Sequence, residues 1–437
     1  MSNYNKWIEL GLKKGLSDIE IHINEKVDLG LNVYEGKVEQ NEISKMQTAS
    51  IKGIFNNKAA NVYVENLTDS NIELMIDRLL DSAKNITSNE PALIFEGSKE
   101  YVEINEPIFD FSKIDPKEKV QLLLDLEAGI YKNEFVKKVS STFYGETELK
   151  TTIINSKGLN LSRHSTVATI YASGVYEKEG QIKSGLSYQI VKNFNDINVD
   201  KLIKDNIENG TSQLGAKTIS SSNYPVVFNN EQFGNILAVF ASIFSGEAAF
   251  RNLTKLNGKQ GTKIASPIVN LVDSPFHEKA LMKVPFDDEG VACKTRHWIK
   301  DGKFTDFNHN LKTAAIFNTK STGNGFGRGI SATNLVLEPQ DYTLNDVLAT
   351  INHGIYITDL VGLHAGVETV SGDFSLQAAG FEIKDGKLGR PIDMIVVSGN
   401  FFELLNNIEM IANDLIFGLS GVGTGAVKIS ELTVAGE

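Results

Sequence analysis

The stretch "DIEIHINEK" (residues 18–26) decides the fold class of the first part of the chain. Isoleucine recurs at every second position, and polar residues lie between, His22 among them. A period of two is that of a strand with one buried face, because successive side chains point to opposite sides. The pattern predicts a half-buried strand whose polar residues face solvent, so His22 is given no catalytic role.

Two more strands and a helix are predicted after this stretch. The runs "QTASIKGIF" (47–55) and "KAANVYVE" (58–65) are strand-like, and an Asn-Asn turn separates them. Apolar residues at helical spacing follow, behind a capping box of Ser70 and Glu73. These elements predict a small α+β unit that ends in a connector with little regular structure, residues 86–112.

The middle of the chain is predicted to contain a helix, an antiparallel meander and a polar helix. Asp115 is the expected cap of the first helix, with Pro116 at its first position. The meander covers 137–191 and the polar helix lies near 196–212. A Gly/Ser-rich break, "LGAKTISSSNYP" (214–225), then marks the main domain boundary.

The last part of the chain is predicted to be β-rich with packed helices. It contains a strand "PVVF" (225–228), a helix over 230–251, strands and turns bearing glycines, and a helix over 399–415 capped by Asn400. The fold class is therefore α+β, with an α/β N-terminal domain and a β-rich C-terminal domain with packed helices. The predicted domains are 1–112, 113–220 and 221–437.

Charge and cysteine content restrict the environment and the partners. The formal net charge of −12 disfavours binding to phosphate backbones, so no direct nucleic-acid contact is expected. Cys293 is the single cysteine, and the N-terminus lacks the pattern of a secretory signal. The longest apolar stretch, 236–244, is far shorter than the roughly 18 residues of a membrane span. A cytoplasmic protein without a membrane segment is expected.

Histidine, cysteine and glycine patterns give weak indications of chemistry. "FHEKAL" (276–281) lacks the second histidine of a zinc-protease helix, and the histidines of the last domain lack metal-ligand spacing. Cys293 and His297 lie about 13 Å apart if they share a strand. The glycine-rich loop 321–329, with Arg328, is a weak anion-binding candidate. We expect no metal and no cofactor.

Three consecutive acids, Asp287, Asp288 and Glu289, precede a glycine in "PFDDEG". Adjacent acids before a glycine most often cap a turn, and a catalytic pair would need a partner from elsewhere in the chain.

Several segments in one order resemble the TldD/PmbA family of peptidase-like proteins. They are "GLNVYEGKVEQNEIS" (30–44), "PFDDEGVACKTRHWIKDGKF" (285–304), "TGNGFG" (322–327), "INHGIYITDLVGLHAGVETVSGDFSLQAAGFEIKDGKLGRPI" (351–392) and "NNIEMIANDL" (406–415). The resemblance covers nearly the whole chain, and its specificity comes from the combination of segments.

The resemblance implies which residues stand at a zinc site. In the TldD subunit of this family, an HExxxH motif and a cysteine near the C-terminus hold the metal, whereas the PmbA or TldE subunit lacks the motif. The motif corresponds here to "GEAAFR" (246–251). Gly246 and Arg251 stand where the histidines belong, Glu247 is retained, and 417–427 contains no cysteine. Without these ligands, the site lacks the side chains that bind a catalytic zinc ion and its activated water.

The resemblance therefore implies a non-catalytic subunit of a TldD/TldE-type metallopeptidase complex, acting in proteolysis and peptide maturation. Its expected partners are a TldD-type zinc subunit, or a second copy in a homodimer, and an unfolded or extended peptide. Such peptides are commonly held by strand addition. Two alternatives stay open. One is a self-sufficient hydrolase using Glu247 or the acids at 287–289. The other is a binding protein for gyrase-related or antitoxin partners, given the family label "modulator of DNA gyrase".

Overall fold

The computed structural model describes residues 4–327 and 329–437, which form two compact units. Unit 1 contains residues 4–214 together with Asp288–Val291, and unit 2 contains Gly215–Asp287 and Ala292–Glu437. The predicted mixture of helices and strands is confirmed. In the described residues, no helix is long and apolar enough to cross a membrane.

Unit 1 is built on one antiparallel sheet with the strand order β3-β2-β1-β4-β5-β6. Its strands are β1 (Asp18–Tyr34), β2 (Lys37–Phe55), β3 (Lys58–Glu65), β4 (Val136–Asn155), β5 (Asn160–Lys178) and β6 (Gln181–Val191). Its helices are α1 (Tyr4–Lys13), α2 (Ile72–Lys84), α3 (Pro116–Ile130) and α4 (Val199–Thr211). The predicted domain boundary between residues 112 and 113 stays a prediction. Strand β1 precedes this boundary in the sequence and β4 follows it, and the two are neighbouring strands of the same sheet.

The isoleucines of β1 point into a core that α1 and α2 cover. Ile19, Ile21 and Ile23 are almost fully buried there with Trp7 and Leu79. Between β2 and β3, both asparagines of the predicted turn have positive φ, as a tight hairpin of that twist requires. The predicted strand alternation is therefore confirmed on its apolar face.

The prediction that His22 faces solvent is wrong. The polar face of the sheet is partly covered by Asp288–Val291 and by the connector, so the side chain is half-buried. Burial lowers the pKa of His22 below its ordinary value. Its Nε2 has no hydrogen-bond partner among the residues that the structure describes. A local pattern gives the direction of this side chain but not what lies over it.

The helix caps of unit 1 follow the sequence in one case and depart from it in another. Asp115 accepts a hydrogen bond from the backbone N–H of Lys117, and Pro116 begins α3 as predicted. The predicted capping box of Ser70 and Glu73 is wrong. The cap of α2 is Asn71, which makes no side-chain hydrogen bond to the helix, and Ser70 pairs with a neighbouring threonine hydroxyl.

Unit 2 combines two larger sheets, a short hairpin and five short helices in its described residues. The helices are α5 (Asn230–Phe240), α6 (Gly246–Phe250), α7 (Leu311–Ile316), α8 (Leu344–Ala349) and α9 (Phe401–Asn406). The longer strands are β7 (Ser222–Phe228), β14 (His353–Val361), β15 (Asp373–Lys384), β16 (Lys387–Asn400), β17 (Ile408–Ile411) and β20 (Val427–Ala435). The others are β8 (Leu271–Asp273), β9 (Arg296–Lys300), β10 (Lys303–Phe304), β11 (Gly325–Phe326), β12 (Gly329–Ile330), β13 (Leu335–Leu337), β18 (Ile416–Phe417) and β19 (Val422–Thr424).

The first sheet of unit 2 closes on itself. Its order is β16-β15-β14-β7-β20-β17, and β16 also pairs with β20. The second sheet has the order β10-β9-β8-β13-β19-β18. One apolar core contains residues from both sheets and from α5 and α9, for example Phe228, Phe240, Trp298 and Phe401. The rings of Phe240 and Phe401 stack with their centroids 4.2 Å apart.

Two helices predicted in unit 2 are shorter than expected. The apolar pattern over 399–415 continues beyond the end of α9, but Ile408–Ile411 forms a strand against β20. The cap at Asn400 is confirmed. The predicted helix over 230–251 is interrupted by a 3₁₀ turn at Ala241–Phe244 and by an extended residue, Ser245. Apolar spacing alone does not separate a helix from a helix followed by a buried strand or turn.

Candidate functional site

The site begins at the break before α6. Ser245 has an extended backbone, and its hydroxyl accepts a hydrogen bond from the N–H of Ala248 at 3.1 Å, which caps the helix. The N–H of Gly246 donates to the carbonyl of Asn308 at 2.7 Å, and the N–H of Asn308 donates to Phe244 at 2.9 Å. These bonds hold the start of α6 against the segment that leads into α7.

Gly246 lies directly against His309. A Cβ at position 246 would lie 2.4 Å from Nδ1 of His309 and 3.0 Å from Oγ1 of Thr313. His309 is 3% exposed, its Nδ1 lies 3.1 Å from the Thr313 hydroxyl, and its ring packs on Phe317. Burial lowers the pKa of His309 below its ordinary value. The imidazole therefore occupies the space that a side chain at position 246 would need.

Glu247 forms ion pairs with two cations. Its Oε1 accepts from Nε of Arg251 at 2.6 Å, and its Oε2 lies 3.0 Å from Nζ of Lys312. Burial acts to raise the pKa of Glu247, but the hydrogen bonds from Arg251 and Lys312 outweigh it and hold the pKa below the ordinary value. A carboxylate with a lowered pKa that is already paired is a weak proton acceptor at neutral pH.

The residues around Glu247 do not fit a zinc ion. Catalytic zinc is held by histidine, cysteine or carboxylate ligands, commonly three of them from the protein. Position 246 has no side chain, and position 251 carries a guanidinium that cannot donate a lone pair. Across residues 4–327 and 329–437, no three His, Cys, Asp or Glu side chains converge as metal ligands would.

The region 417–427 contacts the other end of α5. A Cβ at Gly234 would lie 3.3 Å from the carbonyl of Val422, and one at Gly418 would lie 3.5 Å from Cγ of Glu231. Residues 417–427 include the last residue of β18, all of β19 and, between them, a turn at Gly421, where φ is +72°.

The other predicted candidates do not converge. The carboxylate of Asp287 is fully buried in unit 2, where it accepts from the N–H of Gly325 at 2.8 Å. Asp288 and Glu289 belong to unit 1, and Asp288 pairs with Arg163 at 2.6 Å. Residues 288–289 form a turn, but the carboxylates of Asp287 and Asp288 contact distant segments instead of capping it.

Cys293 does not share a strand with His297, because β9 begins at Arg296. The thiol is 3% exposed and lies 3.1 Å from the carbonyl of Gly323. A buried thiol in such surroundings agrees with the prediction of an inert side chain. Arg328 of the glycine-rich loop lies outside the described residues.

His309 and Lys312 complete the surroundings of α6, and neither was assigned to this site by the sequence. They are distant from Gly246 along the chain, and their spacing resembles no motif. The only local signal is Asn310, which caps α7 through the N–H of Thr313 and thereby fixes the turn that carries both side chains.

Comparison with known proteins gives the class and then the family. Residues 221–436 match the model of the PmbA/TldA metallopeptidase C-terminal domain, and residues 109–214 match the model of the corresponding central domain. The matches put the chain in a class of metallopeptidase-related proteins. The chain belongs to the PmbA/TldD family.

Similar proteins cover almost the whole chain. Metalloprotease PmbA of Escherichia coli O157:H7 is 25% identical over 98% of this chain and 94% of its own. A crystal structure from Thermotoga maritima MSB8, described as a modulator of a DNA gyrase, is 29% identical with a TM-score of 0.92, covering 99% of each chain. TldE from Thermococcus kodakarensis shares the fold, with 22% identity and a TM-score of 0.91 over 99% of this chain and 100% of its own.

Proposed function

We propose that this chain is the non-catalytic subunit of a TldD/TldE-type metallopeptidase complex that acts in cytoplasmic proteolysis and peptide maturation. A TldD-type zinc subunit is the partner that carries the metal and the reaction. This chain stabilises that partner and shapes the cavity that holds an extended peptide. A homodimer is the form expected where the partner is absent.

One observation carries this proposal. At the position that corresponds to the zinc motif, the space beside Gly246 is filled by the imidazole of His309. The neighbouring Glu247 is paired with Arg251 and Lys312, so two positive charges lie where a cation would bind. Placing a divalent cation there would add repulsion from both side chains. These contacts favour a subunit without a metal over a self-sufficient hydrolase that uses Glu247.

Assembly and metal content test the proposal together. The chain is purified without a histidine tag, alone and mixed with a TldD-type homologue from the same genome. We expect less than stoichiometric zinc in the isolated chain and a heterodimer in the mixture, with an interface of about 2,000 Å² or more, as in obligate complexes. Light scattering gives the mass, and elemental analysis gives the zinc.

The matched control is a TldD-type homologue from an unrelated genome, which should assemble less completely. One zinc per isolated chain, or a strict monomer in every mixture, would contradict the proposal.

A further inference from the structure

Strand β2 has an open edge along its first half. Strand β3 pairs only with residues 48–55 of β2. Residues 37–46 have β1 as their one neighbouring strand in the part of the chain that the structure describes, and all of them are exposed. A long edge of this kind presents backbone groups that can pair with another strand. We refer to residues 37–46 as the open edge.

The backbone hydrogen bonds show which residues present their N–H and C=O groups at the open edge. The C=O of Gln47 accepts from the N–H of Asn66 at 2.9 Å, so Gln47 faces β3. Successive residues of an antiparallel strand direct these groups to alternate sides. The pairing of β1 with β2 is regular over this part of β2. The groups that face outward are therefore those of Asn41, Ile43 and Lys45.

The open edge has an apolar residue at its middle and is anchored at its end. Ile43 is 65% exposed. At the turn between β1 and β2, the N–H groups of Glu35 and Gly36 donate to the carboxylate of Glu127 on α3, each at 2.7 Å, and Glu127 is buried. These bonds hold the hairpin on α3, so a second strand would meet an edge that is already ordered. Such order lowers the entropic cost of association.

The sequence of the open edge complements itself in one antiparallel register. In this register Ile43 lies opposite Ile43 of a second copy, so that two exposed isoleucines cover each other. The other facing pairs are Asn41 with Lys45, Glu42 with Ser44 and Gln40 with Met46. Like charges directly opposite each other destabilise a strand pair, and this register contains none.

The neighbouring registers that match the outward backbone groups are less favourable. The next register in one direction places Glu42 opposite Glu42, and the one after it places Lys37 opposite Lys45. The next register in the other direction places Asn41 opposite Gln47, whose C=O already accepts from Asn66. The register centred on Ile43 therefore gives the most complete pairing, with about six hydrogen bonds between the two strands.

We propose that the open edge pairs with the open edge of a second copy of this chain, antiparallel and centred on Ile43. The two six-stranded sheets of unit 1 then form one continuous sheet. The contact uses the same surface on both copies, so it closes as a two-fold dimer. The proposal rests on the homodimer named in the proposed function, and it identifies the surface that the second copy occupies.

Sedimentation of the full chain over a dilution series tests this surface. Ile43→Lys places two like charges opposite each other at the centre of the pairing and should weaken dimerisation about tenfold. Ile182→Lys is the matched control, because Ile182 is a 57% exposed isoleucine on β6, the other edge strand of the same sheet. This control should leave the dimer unchanged. A parent chain that stays monomeric, or equal effects of the two substitutions, overturns the proposal.

Cysteine cross-linking tests the register without relying on the lysine variant. Ile43→Cys should form a disulfide-linked dimer on oxidation, because the two Cα atoms of a hydrogen-bonded pair lie about 5.5 Å apart, within the range of a disulfide. Lys45→Cys should not, since its two copies lie about 14 Å apart along the strands. The parent chain is the control for Cys293, which is buried. Equal cross-linking of the two cysteine variants overturns the register.

Failure of this proposal is distinguishable from failure of the proposed function. A heterodimer with the TldD-type homologue, together with no effect of Ile43→Lys on the isolated chain, supports the subunit role and overturns pairing through the open edge. The reverse result, a homodimer that Ile43→Lys dissociates and no heterodimer in any mixture, supports the open edge and overturns the subunit role.

Discussion

Gly246, which the resemblance places at the first histidine of the zinc motif, lies directly against His309. A glycine is required at position 246 because the side chains of His309 and Thr313 occupy the space that a Cβ would need. The imidazole is buried and lies in a hydrogen-bond network, so it cannot move away at low cost. At the scale of single residues, the identity of position 246 is therefore coupled to that of position 309.

A double-mutant cycle measures this coupling. Gly246→Ala should lower the free energy of unfolding by about 1–3 kcal/mol, because the new methyl group overlaps the His309 ring. In the background of His309→Ala, the same change should cost much less, since the opposing ring is gone. Urea denaturation of the four proteins gives the coupling.

Gly418→Ala is the control for that cycle, because a Cβ there would lie 3.5 Å from Glu231, which is an ordinary contact distance. Additive effects of the two site substitutions would show that His309 does not occupy the space of a side chain at position 246.

Reinstating the two histidines of the zinc motif gives a related prediction. In Gly246→His with Arg251→His, the first histidine meets the His309 ring, and no cysteine is present in 417–427. We expect lower stability, weak zinc binding and no peptide cleavage, since residues that orient metal ligands are also missing. Zinc titration followed by a cleavage assay checks this, and tight stoichiometric zinc with cleavage would refute it.

Glu20 gives a prediction for the pH dependence of stability. Burial, assisted by the charge of Glu289, raises its pKa to about 7 from 4.5, although Lys52 and Asn155 act in the opposite direction. The folded state then binds a proton that the unfolded state has lost, so stability falls as pH rises from about 4.5 to about 7. Glu20→Gln should remove up to about 3 kcal/mol of this loss.

Unfolding free energies at several pH values check the Glu20 prediction. Glu42→Gln, on an exposed part of β2, is the control and should leave the pH profile unchanged. An unchanged difference between Glu20→Gln and the parent across this range would contradict a raised pKa at Glu20.

The residue identities of the site were predictable only in part. The resemblance gave Gly246, Glu247 and Arg251, which lie together on α6 and its end. His309 and Lys312 contact Gly246 and Glu247 from a distant segment of the chain, and no local sequence spacing predicts these contacts. The same reason explains His22, because Asp288, which lies beside its side chain, comes from a distant segment.

At the scale of elements, the break between α5 and α6 determines where Gly246 and Glu247 lie. Ser245 turns the chain into an extended conformation and caps the new helix, and its hydroxyl also donates to the carbonyl of Ser242 at 2.8 Å. The bonds between Gly246 and Asn308 fix α6 against the segment before α7. A continuous helix would place Glu247 at a different rotation about the helix axis.

Two serine substitutions compare a cap in the structure with one expected from sequence alone. Ser245→Ala should lower the free energy of unfolding by about 0.5–2 kcal/mol, the usual cost of losing a helix cap. Ser70→Ala should change it by less than about 0.5 kcal/mol, because Ser70 caps nothing and is exposed. Denaturation curves compare the two directly. Equal losses would restore the capping box predicted for α2.

Elements with strong local signals were predictable, and those decided by distant partners were not. Local sequence alone predicts the strand β1, from its alternating isoleucines, and the start of α3, from Asp115 and Pro116. The apolar residues after Asn406 have helical spacing, but pairing with β20 makes Ile408–Ile411 a strand. Tertiary pairing overrides spacing where the segment is short and its apolar residues also fit a strand.

At the scale of the whole molecule, the proposed function makes the chain one half of an enzyme. The family models cover its central and C-terminal regions, and relatives named for PmbA cover nearly its full length. The zinc-motif position is filled by an imidazole and two cations. Under the proposed function, the chain contributes binding surface to a reaction that its partner performs.

Peptide cleavage by the reconstituted complex tests this claim most directly. The complex with a TldD-type homologue is assayed with the parent chain and with Glu247→Gln, beside a complex in which the partner's HExxxH glutamate is changed to glutamine. We predict an unchanged cleavage rate for Glu247→Gln, loss of cleavage for the partner variant, and no cleavage by the isolated chain. A large loss of rate with Glu247→Gln, or cleavage by the isolated chain, would contradict the account.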